Sequence, residues 1–245
     1  MEDELGNKNP DMPAPGQENT RNNGKHNSAY PFSQEVSELF LRHLDDLMKG
    51  SGISIEIVKE RGYRSILGGK KLAEAGFSKA QQRTPGLLLP VHTPDGKQPF
   101  CQYRPDNPRR DTKGKSIKYE TPTGAGMRID VPPRCRENLK NPKVRLWITE
   151  GIKKGDALAS RDECVIALLG VWNFKGKNEF GGTTLLADLD YIAWNNREVY
   201  IVFDSDIMIR AGVRQALGRL TEHLKRKDAA VFHVYLQHER EGGKS

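Results

Sequence analysis

The sequence predicts an α/β protein in which a mostly parallel sheet, with helices on both faces, follows a smaller α+β region. The first observation is that apolar and β-branched runs alternate with segments of helical spacing after Pro142, a pattern typical of parallel sheets. The second is that the preceding residues combine short helical segments with a strand–turn–strand unit. The chain has 245 residues, which is enough for a sizeable core. We expect an α+β region over residues 33–142 and an α/β domain over residues 143–238.

The two ends of the chain are predicted to lie outside the folded part. Residues 1–32 consist largely of Asn, Gly, Pro, Asp, Glu and Lys. Such a segment cannot offset the entropy lost on ordering, so it is predicted to be a disordered tail. Residues 239–245 are predicted to be a flexible tail.

The α+β region is predicted to begin with three helices. Apolar residues at helical spacing indicate the first, with Ser33 as its N-cap and Gly50 after its last turn. Ser54 and Gly62 are suited to begin and end the second. The predicted helices cover residues 36–48, 55–61 and about 70–75.

A strand–turn–strand unit and a loop-rich stretch follow these helices. Residues 87–91 and 99–104 are typical of strands, and Pro94-Asp95-Gly96-Lys97 between them is typical of a turn. Residues 105–142 are rich in Pro, Gly and basic residues and show no long periodic run. We predict connecting loops there, with one or two short strands.

Strands and helices alternate through the predicted α/β domain. The strand-like runs are apolar and β-branched, whereas the helical segments have apolar residues three and four positions apart. The predicted strands cover residues 144–149, 164–169, 199–203 and 230–236. The predicted helices cover residues 153–160, about 185–193 and 209–227, and a Gly-rich loop covers residues 176–182.

Composition excludes several classes of protein. No apolar run approaches the ~18 residues of a membrane helix, and the N-terminal residues lack the pattern of a secretory signal. Cys101, Cys135 and Cys164 form no Cys-x-x-Cys pair, which argues against a zinc finger and a disulfide scaffold. We therefore expect a cytoplasmic protein without membrane contact. The net charge of +7 is a weak indication of nucleic-acid binding unless the charge is concentrated.

Three carboxylates follow two of the predicted strands. Glu150 follows the strand at 144–149, while Asp204 and Asp206 follow the strand at 199–203. If these strands are parallel neighbours, the three residues share one edge of the sheet. Their mutual repulsion is relieved by a hard divalent cation, so we predict a site for Mg²⁺ or Mn²⁺. In the alternative interpretation, such residues only cap the next helix, as Asp206 could.

The basic charge is concentrated in residues 97–118. This segment holds seven Lys and Arg against two Asp, and aromatic residues lie within or beside it. A basic groove with aromatic side chains is the usual means of binding single strands, although a solvated basic loop is the alternative. Lys153 and Lys154, at the start of a predicted helix, are candidates to hold a phosphate, and exposed helix lysines are the alternative. The predicted nucleic-acid or phosphate contacts are Arg104, Arg109, Arg110, Lys118, Lys153 and Lys154.

These residues resemble the motifs of the Toprim domain, which bacterial primases, topoisomerases and certain nucleases share. The matching segments are Ile148-Thr149-Glu150-Gly151 and Ile201-Val202-Phe203-Asp204-Ser205-Asp206, and the resemblance covers roughly residues 143–238. It implies a Toprim-type fold in which the glutamate contributes acid–base or metal chemistry. It also implies that the paired aspartates hold Mg²⁺.

The resemblance extends upstream of this domain. The segment that precedes Toprim in bacterial-type primases is similar to residues 88–91, Asp95-Gly96, Tyr103-Arg104-Pro105 and Lys118-Tyr119. Closer still is an uncharacterised Toprim-containing family from replication proteins of phages, plasmids and other mobile elements. The chain resembles that family in Arg61-Gly62-Tyr63, Arg104-Pro105-Asp106-Asn107-Pro108, Lys118-Tyr119-Glu120 and Val131-Pro132-Pro133.

The chain departs from the primase pattern in two respects. Primases usually place an aspartate soon after Glu-Gly, whereas here Asp156 comes after Lys153-Lys154-Gly155, and its reach to the metal is in doubt. Replicative primases also carry a zinc-binding module, which three scattered cysteines cannot build.

The leading functional hypothesis is a Mg²⁺-dependent, primase-like nucleotidyltransferase that acts on single-stranded DNA. It would use nucleoside triphosphates and work beside a replicative helicase, as in phage or mobile-element replication. A Toprim nuclease is the second hypothesis, since the same metal site can activate water. The third is a non-catalytic module that delivers single-stranded DNA to a helicase.

Overall fold

The computed structural model describes residues 38–177, 180–204 and 210–236. The predicted tails, the proposed Ser33 cap and Asp206 lie outside these residues. The helices are α1 Leu41–Met48, α2 Ile55–Arg61, α3 Gly69–Glu74, α4 Ile152–Ala159 and α5 Ala211–Lys225. The strands are β1 Arg64–Ile66, β2 Gly86–Pro90, β3 Cys101–Pro105, β4 Ile129–Asp130, β5 Leu146–Glu150, β6 Val165–Leu168, β7 Lys175–Lys177, β8 Thr183–Leu185, β9 Glu198–Val202 and β10 Ala230–Val234. Within the described ranges, 3₁₀ helices span Lys79–Gln81, Pro133–Lys140 and Ala187–Tyr191.

The larger sheet has five strands in the order β10-β9-β5-β6-β4. The pairs β10–β9, β9–β5 and β5–β6 are parallel, and β4 joins β6 in the antiparallel direction. The predicted α/β fold with a mostly parallel sheet is therefore confirmed. The antiparallel strand β4 precedes residue 143, so a segment from the predicted α+β region completes the edge of the sheet.

Helix α4 packs unusually closely on this sheet. A Cβ atom at Gly155 would lie 3.2 Å from the Cβ of Ala167 on β6, which is tighter than ordinary van der Waals contact. Glycine at 155 and alanine at 167 thus allow the backbone of α4 to approach β6. This approach holds the first turn of the helix, with Lys153 and Lys154, at the carboxyl ends of the strands.

The smaller sheet has the antiparallel order β1-β2-β3 and lies over a small apolar cluster. Helix α2 has the predicted bounds, with the Ser54 hydroxyl accepting from the Ile57 N–H and Gly62 in the left-handed region at φ 74°.

The prediction for α1 was wrong at its start, since the helix begins at Leu41 and not near residue 36. The N–H of Phe40 donates to Ser65 Oγ on β1 at 2.8 Å, and this tertiary contact fixes Phe40 outside the helix.

A buried cluster of charged residues joins α2 to α4 and β4. The Arg61 guanidinium donates to both carboxylate oxygens of Asp156, and at 2.5 Å to Asp130. The Tyr63 hydroxyl donates to Asp156 at 2.6 Å. All three charged side chains are fully buried, and burial raises the pKa of Asp130 and Asp156 although the guanidinium opposes this shift. Asp156 therefore lies in the protein interior, and its carboxylate is occupied by Arg61 and Tyr63.

The segment after β6 differs from the prediction. Part of the predicted Gly-rich loop forms a hairpin, β7–β8, in which Lys175 pairs with Leu185. The helix expected near residues 185–193 is a short 3₁₀ helix, Ala187–Tyr191. The carboxylate of Asp188 accepts from the Ile129 N–H at 2.7 Å and from Arg128, so this turn is shaped by contact with β4.

One large apolar core extends through the chain. It includes Leu47, Ile57 and Leu89 from the amino-terminal part and Ile148, Val199 and similar residues of the five-stranded sheet. None of the helices in the described ranges combines the length and apolar character needed to cross a bilayer.

Candidate active site

A cavity of about 440 Å³ lies at the carboxyl ends of β5 and β9. One wall consists of residues that follow these strands, together with the first turns of α4. Other lining residues come from the amino-terminal part of the chain. The lining residues are Gly50, Ser51, Gln102, Tyr119, Glu150, Gly151, Lys153, Lys154, Ala157, Leu169 and Asp204.

The cavity contains two of the three predicted carboxylates. Strands β5 and β9 are parallel neighbours, with Thr149 opposite Val202, so Glu150 and Asp204 reach the same edge of the sheet. This is the arrangement that the strand-end pattern predicts. Glu150 is half-buried at the end of β5, whereas the Asp204 side chain is 51% exposed. Asp206 lies outside the described residues, so its place relative to this pair stays a prediction.

The turn after Glu150 depends on glycine. Gly151 has φ 87°, in the left-handed region, and its N–H donates to the Leu168 carbonyl at 2.7 Å. The carbonyl of Gly151 in turn accepts from the Gly155 N–H inside α4. The chain can therefore pass directly from β5 into α4, which brings Lys153 and Lys154 to the carboxylates.

Lys153 is held by an aspartate from α1. Its Nζ donates to Asp46 Oδ2 at 2.7 Å, and Arg104 donates to the same oxygen at 2.6 Å. Burial alone would raise the pKa of Asp46, but the hydrogen bond and charge of Lys153, with those of Arg104, hold it below its ordinary value. Arg104 and Asp46 also line a second cavity, of about 310 Å³. Asp46 thus orients two of the predicted phosphate-binding cations.

Lys154 contacts the predicted metal-binding aspartate directly. Its Nζ donates a hydrogen bond to Asp204 Oδ1, and the two side chains are 45% and 51% exposed. Each predicted cavity lysine therefore has a carboxylate partner of its own. Lys153 is paired with a residue of α1, and Lys154 with a residue at the end of β9.

The donor set fits a hard divalent cation in chemistry. Glu150 and Asp204 supply carboxylate oxygens beside open cavity volume, which suits the preference of Mg²⁺ for a few carboxylates with water and phosphate oxygens. Among the described residues there is no group of three or more His, Cys, Asp or Glu side chains that could hold a metal. Asp206, the third predicted ligand, lies outside the described residues.

The residues of the predicted basic segment have different surroundings in the structure. Arg109 makes a two-pronged contact with the buried carboxylate of Glu120, at 2.6 and 2.9 Å, and lies outside the cavity lining. Arg110 is exposed and donates to the Gly114 carbonyl within its own loop. Lys118 is exposed, and Tyr119 next to it lines the cavity and lies under the guanidinium of Arg104.

Sequence patterns did not predict the roles of Asp46, which binds the cavity residue Lys153, and Gln102, which lines the cavity itself. Asp46 stands in an acidic pair on a short helix, and nothing in its surroundings distinguishes it from a solvated surface carboxylate. Gln102 lies on β3 between buried residues, and an uncharged polar side chain in a buried strand was the available signal.

Lys118 and Arg109 are expected to respond differently when their charges are removed. Lys118→Ala should reduce the slope of log K against log salt for single-stranded DNA by about 0.7, the value for one lost phosphate contact. Arg109→Gln should leave that slope unchanged, because its guanidinium is engaged by Glu120. Fluorescence anisotropy with an oligothymidylate over a salt series measures both slopes, and circular dichroism checks that each variant is folded. Equal reductions in slope would contradict this assignment.

The fold is similar to that of bacterial primase catalytic cores. The Aquifex aeolicus primase (zinc-binding and RNA polymerase domains) aligns with a TM-score of 0.54 at 16% identity, over 81% of this chain and 50% of that chain. The E. coli primase catalytic core aligns with a TM-score of 0.52 at 16% identity, over 81% and 66%. A DnaG primase catalytic domain bound to single-stranded DNA aligns with a TM-score of 0.51 at 16% identity, over 82% and 70%.

In sequence, the chain is similar to a domain of unknown function and to an uncharacterized protein. Residues 137–244 match a family model described as a domain of unknown function (DUF3854). An uncharacterized protein of Picosynechococcus sp. is 28% identical over an alignment that covers 53% of this chain and 16% of that protein. The chain therefore spans about a sixth of this curated relative and half of the Aquifex primase.

Proposed function

We propose that this chain is a Mg²⁺-dependent, primase-like nucleotidyltransferase core that acts on single-stranded DNA. The observation that carries the proposal is the cavity in which Glu150 and Asp204, from neighbouring parallel strands, face Lys153 and Lys154. Carboxylates beside cations are what phosphoryl transfer requires, since a metal and the substrate phosphates must be held together. The proposal includes a Toprim-type domain over residues 143–238.

The carboxylates and two of the cations have proposed roles. Glu150, Asp204 and Asp206 would hold the metal, and Glu150 would also assist proton transfer. A bound Mg²⁺ neutralises charge on the triphosphate and lowers the barrier to attack by a 3′-hydroxyl. Lys153 and Arg104, oriented by Asp46, would bind phosphate oxygens of the nucleotide or template.

The template path is proposed to run past Tyr119 and the exposed part of the basic segment. Tyr119 is 39% exposed at the cavity and offers a ring on which an unpaired base can stack. Lys118 and Arg110 are exposed and would contact the backbone, whereas Arg109 is given a structural role by Glu120. The likeness to a primase domain bound to single-stranded DNA supports this choice of nucleic acid, and a replicative helicase is the proposed partner.

Primer synthesis on single-stranded DNA tests the proposed function. The purified chain, a single-stranded template, ribonucleoside triphosphates and Mg²⁺ should give short labelled products on a denaturing gel. EDTA should abolish these products. Lys140→Ala, which changes an exposed lysine outside the cavity lining, is the control and should retain activity.

Two results would overturn this assignment. Metal-dependent cleavage of the template without nucleotides would identify a nuclease. Tight binding of single-stranded DNA that survives both EDTA and Asp204→Ala, with no synthesis under any divalent metal, would identify a non-catalytic binding module. Substitution of deoxyribonucleoside triphosphates in parallel reactions determines which sugar the site accepts.

A further inference from the structure

Lys154 differs from the other cations of the site in the partner that it contacts. Lys153 and Arg104 share Asp46, a residue of α1 that lies outside the proposed metal ligands. Lys154 instead donates to Asp204, one of the proposed ligands. A divalent ion that binds Asp204 through Oδ1 must therefore compete with the ammonium of Lys154, whereas the contacts of Asp46 need not change.

The exposure of these pairs indicates which of them can open. The side chain of Lys153 is 11% exposed, so its contact with Asp46 is largely protected from solvent. Lys154 and Asp204 are 45% and 51% exposed, and ion pairs of this kind are weak because water screens them. A divalent cation, with twice the charge of an ammonium, can displace Lys154 from the carboxylate.

Lys154 remains beside the cavity after such a displacement. It lies in the first turn of α4, whose backbone is held close to β6 at Gly155, so its Cα position is fixed while its long side chain is free to turn. Lys154 also lines the same cavity as Glu150. Its ammonium would then face the anionic groups that accompany the metal, which in the proposed reaction are phosphates.

We propose that Lys154 is the internal counter-ion of the metal site and exchanges Asp204 for a substrate phosphate when the metal binds. This proposal rests on the proposed function, since it takes Asp204 as a metal ligand. Lys154 weakens the binding of bare metal and strengthens the binding of the metal–triphosphate complex. The two ligands are thereby coupled, and each favours the other.

Mn²⁺ binding to the full chain, followed by electron paramagnetic resonance, tests this exchange without a catalytic readout. Lys154→Met should tighten the binding of Mn²⁺ alone by about tenfold, within the usual range of such couplings. The same variant should weaken the binding of Mn²⁺ with ATP. Lys154→Arg, which keeps the charge, should resemble the wild type and shows that the site tolerates substitution.

The matched control is Lys153→Met, which removes the neighbouring positive charge but leaves the Asp204 contact in place. If it tightens Mn²⁺ binding as much as Lys154→Met, a general charge effect is responsible and the inference is overturned. If Lys154→Met tightened the binding of both Mn²⁺ and Mn²⁺–ATP, the inference would also be overturned, because Lys154 would then not contact a phosphate of the bound ATP.

Asp204→Asn separates the failure of this inference from that of the proposed function. If Asp204→Asn abolishes Mn²⁺ binding and Lys154→Met leaves the affinity unchanged, the metal site stands and the counter-ion role is wrong. If no variant binds Mn²⁺, or if Asp204→Asn binds it like the wild type, the proposed metal site and this inference fail together.

Discussion

Asp204→Asn is expected to reduce primer synthesis by at least about 100-fold. The change preserves the shape of the side chain but removes the negative charge that the proposed metal requires. Loss of a metal contact costs several kcal/mol of transition-state stabilisation, and about 1.4 kcal/mol corresponds to a tenfold change in rate. The measurement is the initial rate of primer synthesis at saturating nucleotide and Mg²⁺.

Asp190→Asn is the matched control for this substitution. Asp190 is an exposed carboxylate that also pairs with a lysine, Lys227 at 3.1 Å, but it is absent from the cavity lining. We expect this variant to keep a rate close to that of the wild type. A loss of less than tenfold in Asp204→Asn, with normal folding, would mean that Asp204 is not a metal ligand in the reaction.

Arg61→Met is expected to destabilise the protein by about 3–5 kcal/mol, as does the removal of one partner from a buried ion pair. The guanidinium contacts Asp130 and Asp156, and neither carboxylate has any exposed area. Without Arg61, both would remain buried without their cation. Urea unfolding followed by tryptophan fluorescence gives the change in the free energy of unfolding.

Arg134→Met is the matched control for Arg61→Met. It removes the cation of an ion pair with Glu60, the residue next to Arg61 on α2. Arg134 binds Glu60 at 2.7 Å, but both side chains are about one-third exposed. This variant should lose less than about 1 kcal/mol, because water screens the pair. Similar losses in the two variants would show that burial does not determine the strength of the Arg61 cluster.

Local patterns in the sequence account for the elements and for part of the site. Ser54 and Gly62 predict the bounds of α2, because capping is decided by a few adjacent residues. The strand-end pattern predicts that Glu150 and Asp204 meet, because the carboxyl ends of neighbouring parallel strands lie together. In both cases the regular geometry of a helix or a sheet allows the position of a residue to be predicted from nearby sequence.

Contacts between distant segments could not be predicted in this way. Asp46 meets Arg104 and Lys153 over sequence separations of 58 and 107 residues, and no periodicity encodes such pairs. The charge of Arg109 looks like that of Lys118 until the position of Glu120 is known. The predicted start of α1 was wrong for a similar reason, since the Phe40 N–H is bound by Ser65, which is 25 residues away in the sequence.

The Arg61 cluster and strand β4 determine how the chain could be divided. A fragment that began at residue 143 would keep Asp156 but lose Arg61 and Tyr63, and its sheet would lose the β4 edge. The resulting open strand and uncompensated carboxylate favour self-association over folding. The amino-terminal segment therefore supplies contacts that complete the sheet and neutralise Asp156, and a minimal recombinant fragment that contains the five-stranded sheet should begin upstream of α2.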